Sequence, residues 1–165
     1  MIKLICEAGK ISDKEIVQYE EELGFLFSDA YKDFLKNHNG SELPNNYIDI
    51  PPGQGACVSK ILPVEEIESC IKIINDDVVT YNYFPFAADD CGNYFLMDKG
   101  GHCIYFYDHE YMGKEAITKI TGSLDCFLQD IKPVSLNDLP MPQGRVLYMN
   151  EEILNKFRSA GGQKK

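Results

Sequence analysis

The sequence predicts an α+β domain in which a single, mostly antiparallel, twisted sheet packs against helices. Two amphipathic helical segments come first along the chain, followed by short β-type segments, a third helix, a pair of adjacent strands, a further strand and another helix. This order of elements is typical of the α+β class. The chain has 165 residues, of which 44% are hydrophobic, so it is large enough to bury a substantial core.

Two helices are predicted near the start of the chain. Ser12 and Glu15 have the spacing of a capping box, and apolar residues recur at helical spacing from there as far as Gly24. Ser28 is predicted to cap a second helix, which ends at Asn39–Gly40. Because both segments are amphipathic and are joined by only a few residues, we expect the two helices to pack side by side.

The elements after residue 43 are shorter. Residues 43–63 are rich in Pro and Gly and contain short β-type pieces, such as Tyr47–Ile50. A third helix is predicted from Val64 to about Ile74, a strand from Ala116 to Ile120, and a helix after the capping residue Ser123.

A β-hairpin is predicted in the region from residue 84 to residue 110. The apolar runs Tyr94–Met97 and Ile104–Tyr107 flank a turn at Gly100–Gly101. Each run is apolar almost throughout, so we expect both faces of this part of the sheet to be covered. Acidic residues stand just outside the runs and are expected to lie together at one edge of the sheet, where they could bind a partner: Asp89, Asp90, Asp98, Asp108 and Glu110.

The charge is distributed unevenly along the chain. The formal net charge is −10, and residues 1–140 hold 11 Lys and Arg against 24 Asp and Glu, whereas residues 141–165 hold five bases and two acids. An acidic body repels phosphate backbones and attracts basic proteins, so we do not expect this protein to bind nucleic acid. The alternative that the acidity only keeps the protein soluble stays open.

Composition also bears on location, cofactors and domain organisation. No apolar run approaches the roughly 20 residues of a membrane span, and the start of the chain lacks the apolar region of a secretion signal, so a cytoplasmic protein is predicted. The six cysteines show no Cys-x-x-Cys spacing and are interpreted as buried hydrophobic residues, with no metal and no cofactor expected. Residues 1–132 are predicted to form one domain, and residues 133–165 a proline-containing linker with a short helix from about Asn150 to Phe157.

Three segments contain residue types found in catalytic or ligand-binding sites. The Gly-rich segment Gly53–Lys60 lacks the Gly-Lys-Ser/Thr order of a phosphate loop, and Asp89–Asn93 lacks the ligand spacing of a calcium loop. A hydrolase could use His109 with Asp108 or a cysteine, but no second His stands at helical spacing. His109 is either a strand-end residue bonded to a neighbouring acid or part of a binding edge with Asp108, Glu110 and Tyr111.

Several segments together resemble a known family. They are YKDFLKNHNGSELP (Tyr31–Pro44), Leu62–Pro63 before a helix, PFAADDCGNYFLMD (Pro85–Asp98) and IYFYDHE (Ile104–Glu110). Their order resembles the SUKH superfamily, which includes fungal cell-wall synthesis regulators and many bacterial immunity proteins. The resemblance covers about residues 14–131.

The chain departs from the family pattern at two places. Family members commonly carry Leu-Pro before the second helix, where this chain has Leu26-Phe27-Ser28. They also commonly have a Trp near the Asp-His-Glu end of the hairpin, where this chain has Tyr107. Both are apolar or aromatic replacements, so the SUKH-like fold is still expected.

The resemblance implies a non-enzymatic protein that binds other proteins. Similar proteins bind diverse toxins, many of them nucleases delivered between competing bacteria. A nuclease site must hold phosphate and is therefore basic, which suits an acidic binder. We interpret the chain as a bacterial immunity protein that binds a basic toxin domain, with a regulatory scaffold of the cell-wall synthesis regulator type as the alternative. The predicted partner-binding residues are Asp89, Asp90, Asp108, His109, Glu110 and Tyr111.

Overall fold

The computed structural model describes residues 4–6 and 10–134, and within them ten strands form two sheets. The strands are β1 (Ile5–Cys6), β2 (Ser41–Glu42), β3 (Asn46–Ile50), β4 (Gln54–Ala56), β5 (Lys60–Ile61), β6 (Tyr83–Ala88), β7 (Tyr94–Asp98), β8 (Ile104–Tyr107), β9 (Ile117–Thr121) and β10 (Lys132–Pro133). The main sheet has seven strands in the order β1-β2-β5-β6-β7-β8-β9, and all its pairs are antiparallel. The α+β class and the antiparallel main sheet are therefore confirmed.

Five α-helices accompany the sheets in this part of the chain. They are α1 (Asp13–Leu23), α2 (Asp29–His38), α3 (Ile67–Ile74), α4 (Asp77–Thr80) and α5 (Leu124–Asp130). The predicted capping box is present, since the backbone N–H of Glu15 donates to Ser12 Oγ and that of Ser12 donates to Glu15 Oε2. Ser28 and Ser123 cap α2 and α5 through their hydroxyl groups, which accept the N–H of Tyr31 and of Cys126, so the local signals correctly located the starts of three helices.

The hairpin β7–β8 is covered on both faces, as the sequence predicted. Side chains alternate along a strand, so Phe95 and Leu96 point to opposite faces. Phe95 belongs to a core shared with α1, α2 and α5. On the other face Leu96 packs with Ile74 of α3 and Val79 of α4. Continuous apolar runs in these strands therefore reflect helices on both sides of the sheet.

A second sheet of three strands, in the order β10-β3-β4, lies beside the main one. The expectation of a single sheet is incomplete in this respect. Between β2 and β3 the backbone bends at Asn45, whose φ is +52°, and β3 pairs with β4 and β10 and not with the main sheet. The buried side chain of Asn46, the first residue of β3, fixes the second sheet to the backbone segments on either side of it. Its NH₂ group donates to the carbonyls of Leu43 and Val58, and its Oδ1 accepts the N–H of Val58.

Three elements differ from the sequence-based expectation. The third helix begins with a 3₁₀ turn, Val64–Glu66, before α3. The short helix α4 was not anticipated and is capped by the Asp76 carboxylate. Strand β6 was not anticipated either, because it contains Pro85, which has no N–H to donate; a register shift between Pro85 and Ala87 accommodates it.

The last described element, β10, pairs with β3 at the predicted boundary between domain and linker. The predicted helix from about Asn150 to Phe157 lies outside the described residues. No helix within residues 4–6 and 10–134 combines the length and the hydrophobicity that crossing a membrane requires.

Candidate partner-binding surface

The predicted binding residues occupy two neighbouring loops at one end of the main sheet. Strands β7 and β8 are antiparallel, with Tyr94 opposite Tyr107, so the start of β7 and the end of β8 lie side by side. The loop of residues 89–93 precedes β7, and the loop of residues 108–112 follows β8. The six predicted residues are thus brought to the same end of the sheet, and we call them the acidic edge: Asp89, Asp90, Asp108, His109, Glu110 and Tyr111.

Asp98 does not belong to the acidic edge. It ends β7 at the opposite end of the hairpin, where its carboxylate accepts the N–H of His102 at 2.9 Å and its carbonyl accepts the N–H of Gly101 at 2.7 Å. The expectation that all the acids flanking the two strands lie together was therefore wrong for Asp98. Its side chain stabilises the hairpin turn instead.

His109 joins the two loops of the acidic edge. Its Nδ1 lies 2.8 Å from Oδ1 of Asn93, and its backbone N–H donates to the same oxygen at 3.2 Å. The Asn93 amide in turn donates to Asp89 Oδ2 at 2.8 Å. A Cβ on Gly92 would lie only 3.7 Å from the His109 ring. The side-chain partner of His109 is an amide rather than the neighbouring acid that one interpretation of the sequence expected.

The four carboxylates of the edge fall into two pairs with different roles. Asp89 Oδ1 accepts the N–H groups of Cys91 and Asn93, both at 2.8 Å, and Asp108 Oδ1 accepts the N–H of Glu110 at 3.0 Å. These bonds give each loop its shape. In contrast, the carboxylates of Asp90 and Glu110 are exposed and make no hydrogen bond within the described part of the chain. Those two are free to meet a partner.

The negative charge of the edge is not neutralised by the protein itself. Elsewhere acids pair with lysines, as in the contacts of Glu20 with Lys32 at 2.9 Å and Glu66 with Lys60 at 2.7 Å. Across residues 4–6 and 10–134, no ion pair involves any of the four carboxylates of the acidic edge. An uncompensated cluster at one end of the sheet attracts cationic surfaces.

Within the described residues, the hydrogen-bond partner of the His109 ring is neither a carboxylate nor a cysteine. The ring of His109 contacts the Asn93 amide, and an amide side chain does not act as a general acid or a general base. The nearby carboxylate of Asp89 raises the pKa of the Cys91 thiol, so this cysteine favours its less nucleophilic protonated form. No group of three or more His, Cys, Asp or Glu suited to a metal ion occurs among the residues that the structure describes.

An apolar groove adjoins the acidic edge and was not foreseen from the sequence. It has a volume of about 440 Å³ and lies between the end of α3 and the loop of residues 108–112. Ile73, Tyr111 and Met112 stand exposed at its rim. Ile67, Ile71 and Ile74 form the apolar stripe of α3, and Ile73 lies outside it. An apolar residue off the stripe of an amphipathic helix is a signal that the sequence itself carries. The position of Met112 depends on how the loop packs and carries no such signal.

An antiparallel sheet lies between helices, and two charged loops stand at one end of it. The chain belongs to the SMI1/KNR4 family (SUKH-1), whose family model matches residues 10–130. The resemblance to the SUKH superfamily is thereby confirmed. No curated protein matches this chain significantly. Membership supports an immunity-protein role or a role of the SMI1/KNR4 type, and proteins of this family are generally not enzymes.

Proposed function

We propose that this protein is a non-enzymatic immunity protein that works in the bacterial cytoplasm and neutralises a toxin by binding it through the acidic edge. The observation that carries the proposal is the pair of exposed carboxylates, Asp90 and Glu110, which have no cation partner in the described residues. They stand on two loops that the contact between Asn93 and His109 holds together. Family membership supports a partner-binding role of this kind.

The proposed partner is a basic toxin domain of the nuclease type. A nuclease must hold a phosphate backbone, so its active site is lined by cations that complement the acidic edge. Opposite charges also steer the two proteins together and raise the association rate, an effect that salt screens. Binding at this edge would cover the toxin's phosphate-binding groups and block its substrate.

The partner is identified first, by capture. Tagged protein is exposed to the secreted and co-expressed proteins of its own strain, and bound proteins are identified by mass spectrometry. We expect a basic toxin domain that is released as salt is raised. Recovery of cytosolic enzymes or signalling proteins alone would favour the alternative, a regulatory scaffold of the SMI1/KNR4 type, which the family match also supports.

The acidic edge is then tested by the double substitution Asp90→Lys with Glu110→Lys. We expect the association rate with the captured toxin domain to fall at least about tenfold at low salt, because steering is lost, and the salt dependence to flatten. The matched control is Glu21→Lys with Asp29→Lys, which changes the net charge equally. Asp29 follows Ser28, which packs against the hairpin turn at the far end of β7 and β8. If the affinity and its salt dependence are unchanged by Asp90→Lys with Glu110→Lys, the acidic edge is not the surface that binds the toxin.

A further inference from the structure

The apolar groove beside the acidic edge is exposed in a way that internal packing does not explain. Its rim residues Ile73, Tyr111 and Met112 are 69%, 51% and 78% exposed, and the partly buried Tyr94 and buried Tyr107 line it below. Single exposed apolar side chains are ordinary on a protein surface, but three around one concave site are not. Tyr and Met are also enriched where proteins meet.

The groove is already formed in the protein by itself. Asp76, which is 8% exposed, lies between α3 and α4 and accepts the N–H of Gly113 through Oδ2 at 2.6 Å. Its Oδ1 accepts the N–H groups of Val78 and Val79 at 3.0 and 3.3 Å. One carboxylate therefore ties Gly113, which follows the loop of residues 108–112, to the start of α4, directly after the end of α3 that forms the other wall. A preformed groove binds at a lower entropic cost than one that must be assembled.

The groove is continuous with the acidic edge. His109 and Tyr111 belong to both, and Gly92, next to Cys91 in the loop of residues 89–93, lines the groove as well. Glu110 lies between His109 and Tyr111 in the chain and is exposed. An apolar side chain entering the groove would thus bring its own neighbours against carboxylates. This charge arrangement fits cationic neighbours and repels anionic ones.

We propose that the groove bordered by Ile73, Tyr111 and Met112 receives an aromatic side chain of the partner that is flanked by lysine or arginine. This inference rests on the proposed function and specifies the chemistry of the partner segment. A volume of about 440 Å³ lies within the range of small-ligand sites, so one aromatic ring fits without rearrangement. The acidic edge sets the association rate, and the groove supplies the anchor that slows dissociation.

The test uses the full chain, labelled uniformly with 15N and at the methyl groups of Ile and Met, and three synthetic peptides. The first is acetyl-Lys-Lys-Phe-Lys-Lys-amide, the second replaces Phe by Ser, and the third replaces every Lys by Glu. We expect the first peptide to shift the methyl signals of Ile73 and Met112 and to bind roughly fivefold more tightly than the second, as burial of about half a phenyl ring implies. The third peptide should leave these signals unchanged.

Two substitutions make the result specific. Ile73→Ser should remove the preference for Phe over Ser, whereas Leu26→Ser should retain it, because Leu26 is 71% exposed but lines a different groove. Met112→Thr, at the opposite side of the groove, should also remove the preference for Phe over Ser. Equal binding of the Phe and Ser peptides, with no methyl shift, would overturn the proposal.

The same titration separates the two hypotheses. One outcome is that both lysine peptides bind with backbone amide shifts at Asp90 and Glu110 but without a preference for Phe. This result would support the acidic edge as a binding surface and would overturn the proposal for the groove. Absence of amide shifts at the acidic edge with either lysine peptide would count against the edge itself. Methyl shifts at Ile73 and Met112 that depend on protein concentration without peptide would indicate a second copy of the chain as the occupant, and would also overturn the proposal.

Discussion

Asn93 and His109 are 16 residues apart in the chain, and their side chains meet at 2.8 Å. Asn93 stands just before β7 and His109 just after Asp108 at the end of β8. Since the amide of Asn93 also bonds the Asp89 carboxylate, one side chain connects both loops of the acidic edge. We therefore expect the relative positions of Asp90 and Glu110 to depend on this connection.

The first prediction concerns Asn93→Ala. The substitution removes the bonds to Asp89 and His109, and we expect it to lower the free energy of unfolding by about 1–2 kcal/mol. Amide hydrogen exchange should accelerate in residues 89–93 and 108–111. Asn37→Ala, at an exposed position of α2, is the control. Unchanged exchange in the second loop would show that Asn93 does not couple the two.

The second prediction compares Gly101→Ala with Gly24→Ala. Both glycines have similar positive φ, +76° and +73°, so alanine is strained to a similar extent at each. A Cβ at Gly101 would lie 2.4 Å from the Cβ of Ser28, whereas one at Gly24 would have no atom within 4 Å. We expect Gly24→Ala to cost about 1–2 kcal/mol of stability, and Gly101→Ala about 1–3 kcal/mol more.

Chemical denaturation of the two alanine variants measures this difference directly. Equal losses of stability would mean that the hairpin turn at Gly101 is not packed tightly against Ser28 at the start of α2. A larger loss at Gly101 would show that this turn is held by packing as well as by its own hydrogen bonds.

Local signals account for the parts of this fold that the sequence predicted. The caps at Ser12, Ser28 and Ser123 act within three residues of themselves, and the hairpin turn joins adjacent strands. The antiparallel pairing of β7 with β8 was enough to bring Asp89 and His109 to one end. The same pairing excludes Asp98, because an acid at the turn must lie at the other end.

Features that depend on distant parts of the chain were not predicted. Strand β6 lies inside the sheet even though it contains Pro85, because β5 pairs only with Ala87 and Ala88 and Pro85 therefore faces a strand only on the β7 side. Helix α4 has only four residues, too few for a periodic pattern, and depends on the Asp76 carboxylate. The groove arises where Met112 and Ile73 come to line one concavity, and no local pattern encodes that arrangement.

The third prediction concerns Glu20, a carboxylate that is 5% exposed. Its Oε1 accepts the N–H of Phe27 at 2.6 Å and lies 2.9 Å from Lys32 Nζ. Glu20→Ala leaves this N–H without its acceptor and the half-buried ammonium of Lys32 without its anion. We expect a loss of about 2–4 kcal/mol, since breaking a buried charged contact is costly.

The control for Glu20 is Glu68→Ala, which breaks an exposed pair with Lys72 in α3. Exposed pairs at this spacing contribute only about 0.3–0.5 kcal/mol. Thermal or denaturant unfolding should therefore separate the two variants clearly. Similar losses for both would mean that Glu20 is not important for the connection between α1 and α2.

The fourth prediction concerns His38, at the end of α2. Its ring packs on Phe34 with centroids 4.8 Å apart, and its buried Nδ1 has no hydrogen-bond partner among the described residues. Burial lowers the pKa of His38. The unfolded chain, with an ordinary histidine pKa of about 6.5, therefore binds a proton more readily than the folded protein as the pH falls.

His38 therefore contributes a loss of stability that begins as the pH falls through about 6.5 and is complete below the lowered pKa of the folded state. His38→Phe removes this titration while keeping an aromatic ring against Phe34. We expect the stability of the variant relative to the original protein to be constant above about pH 7.5 and to rise as the pH falls to about 5. Denaturant unfolding of both proteins across this range measures the difference, in which the titration of the many carboxylates cancels. A difference that does not vary with pH would show that burial does not oppose protonation of His38.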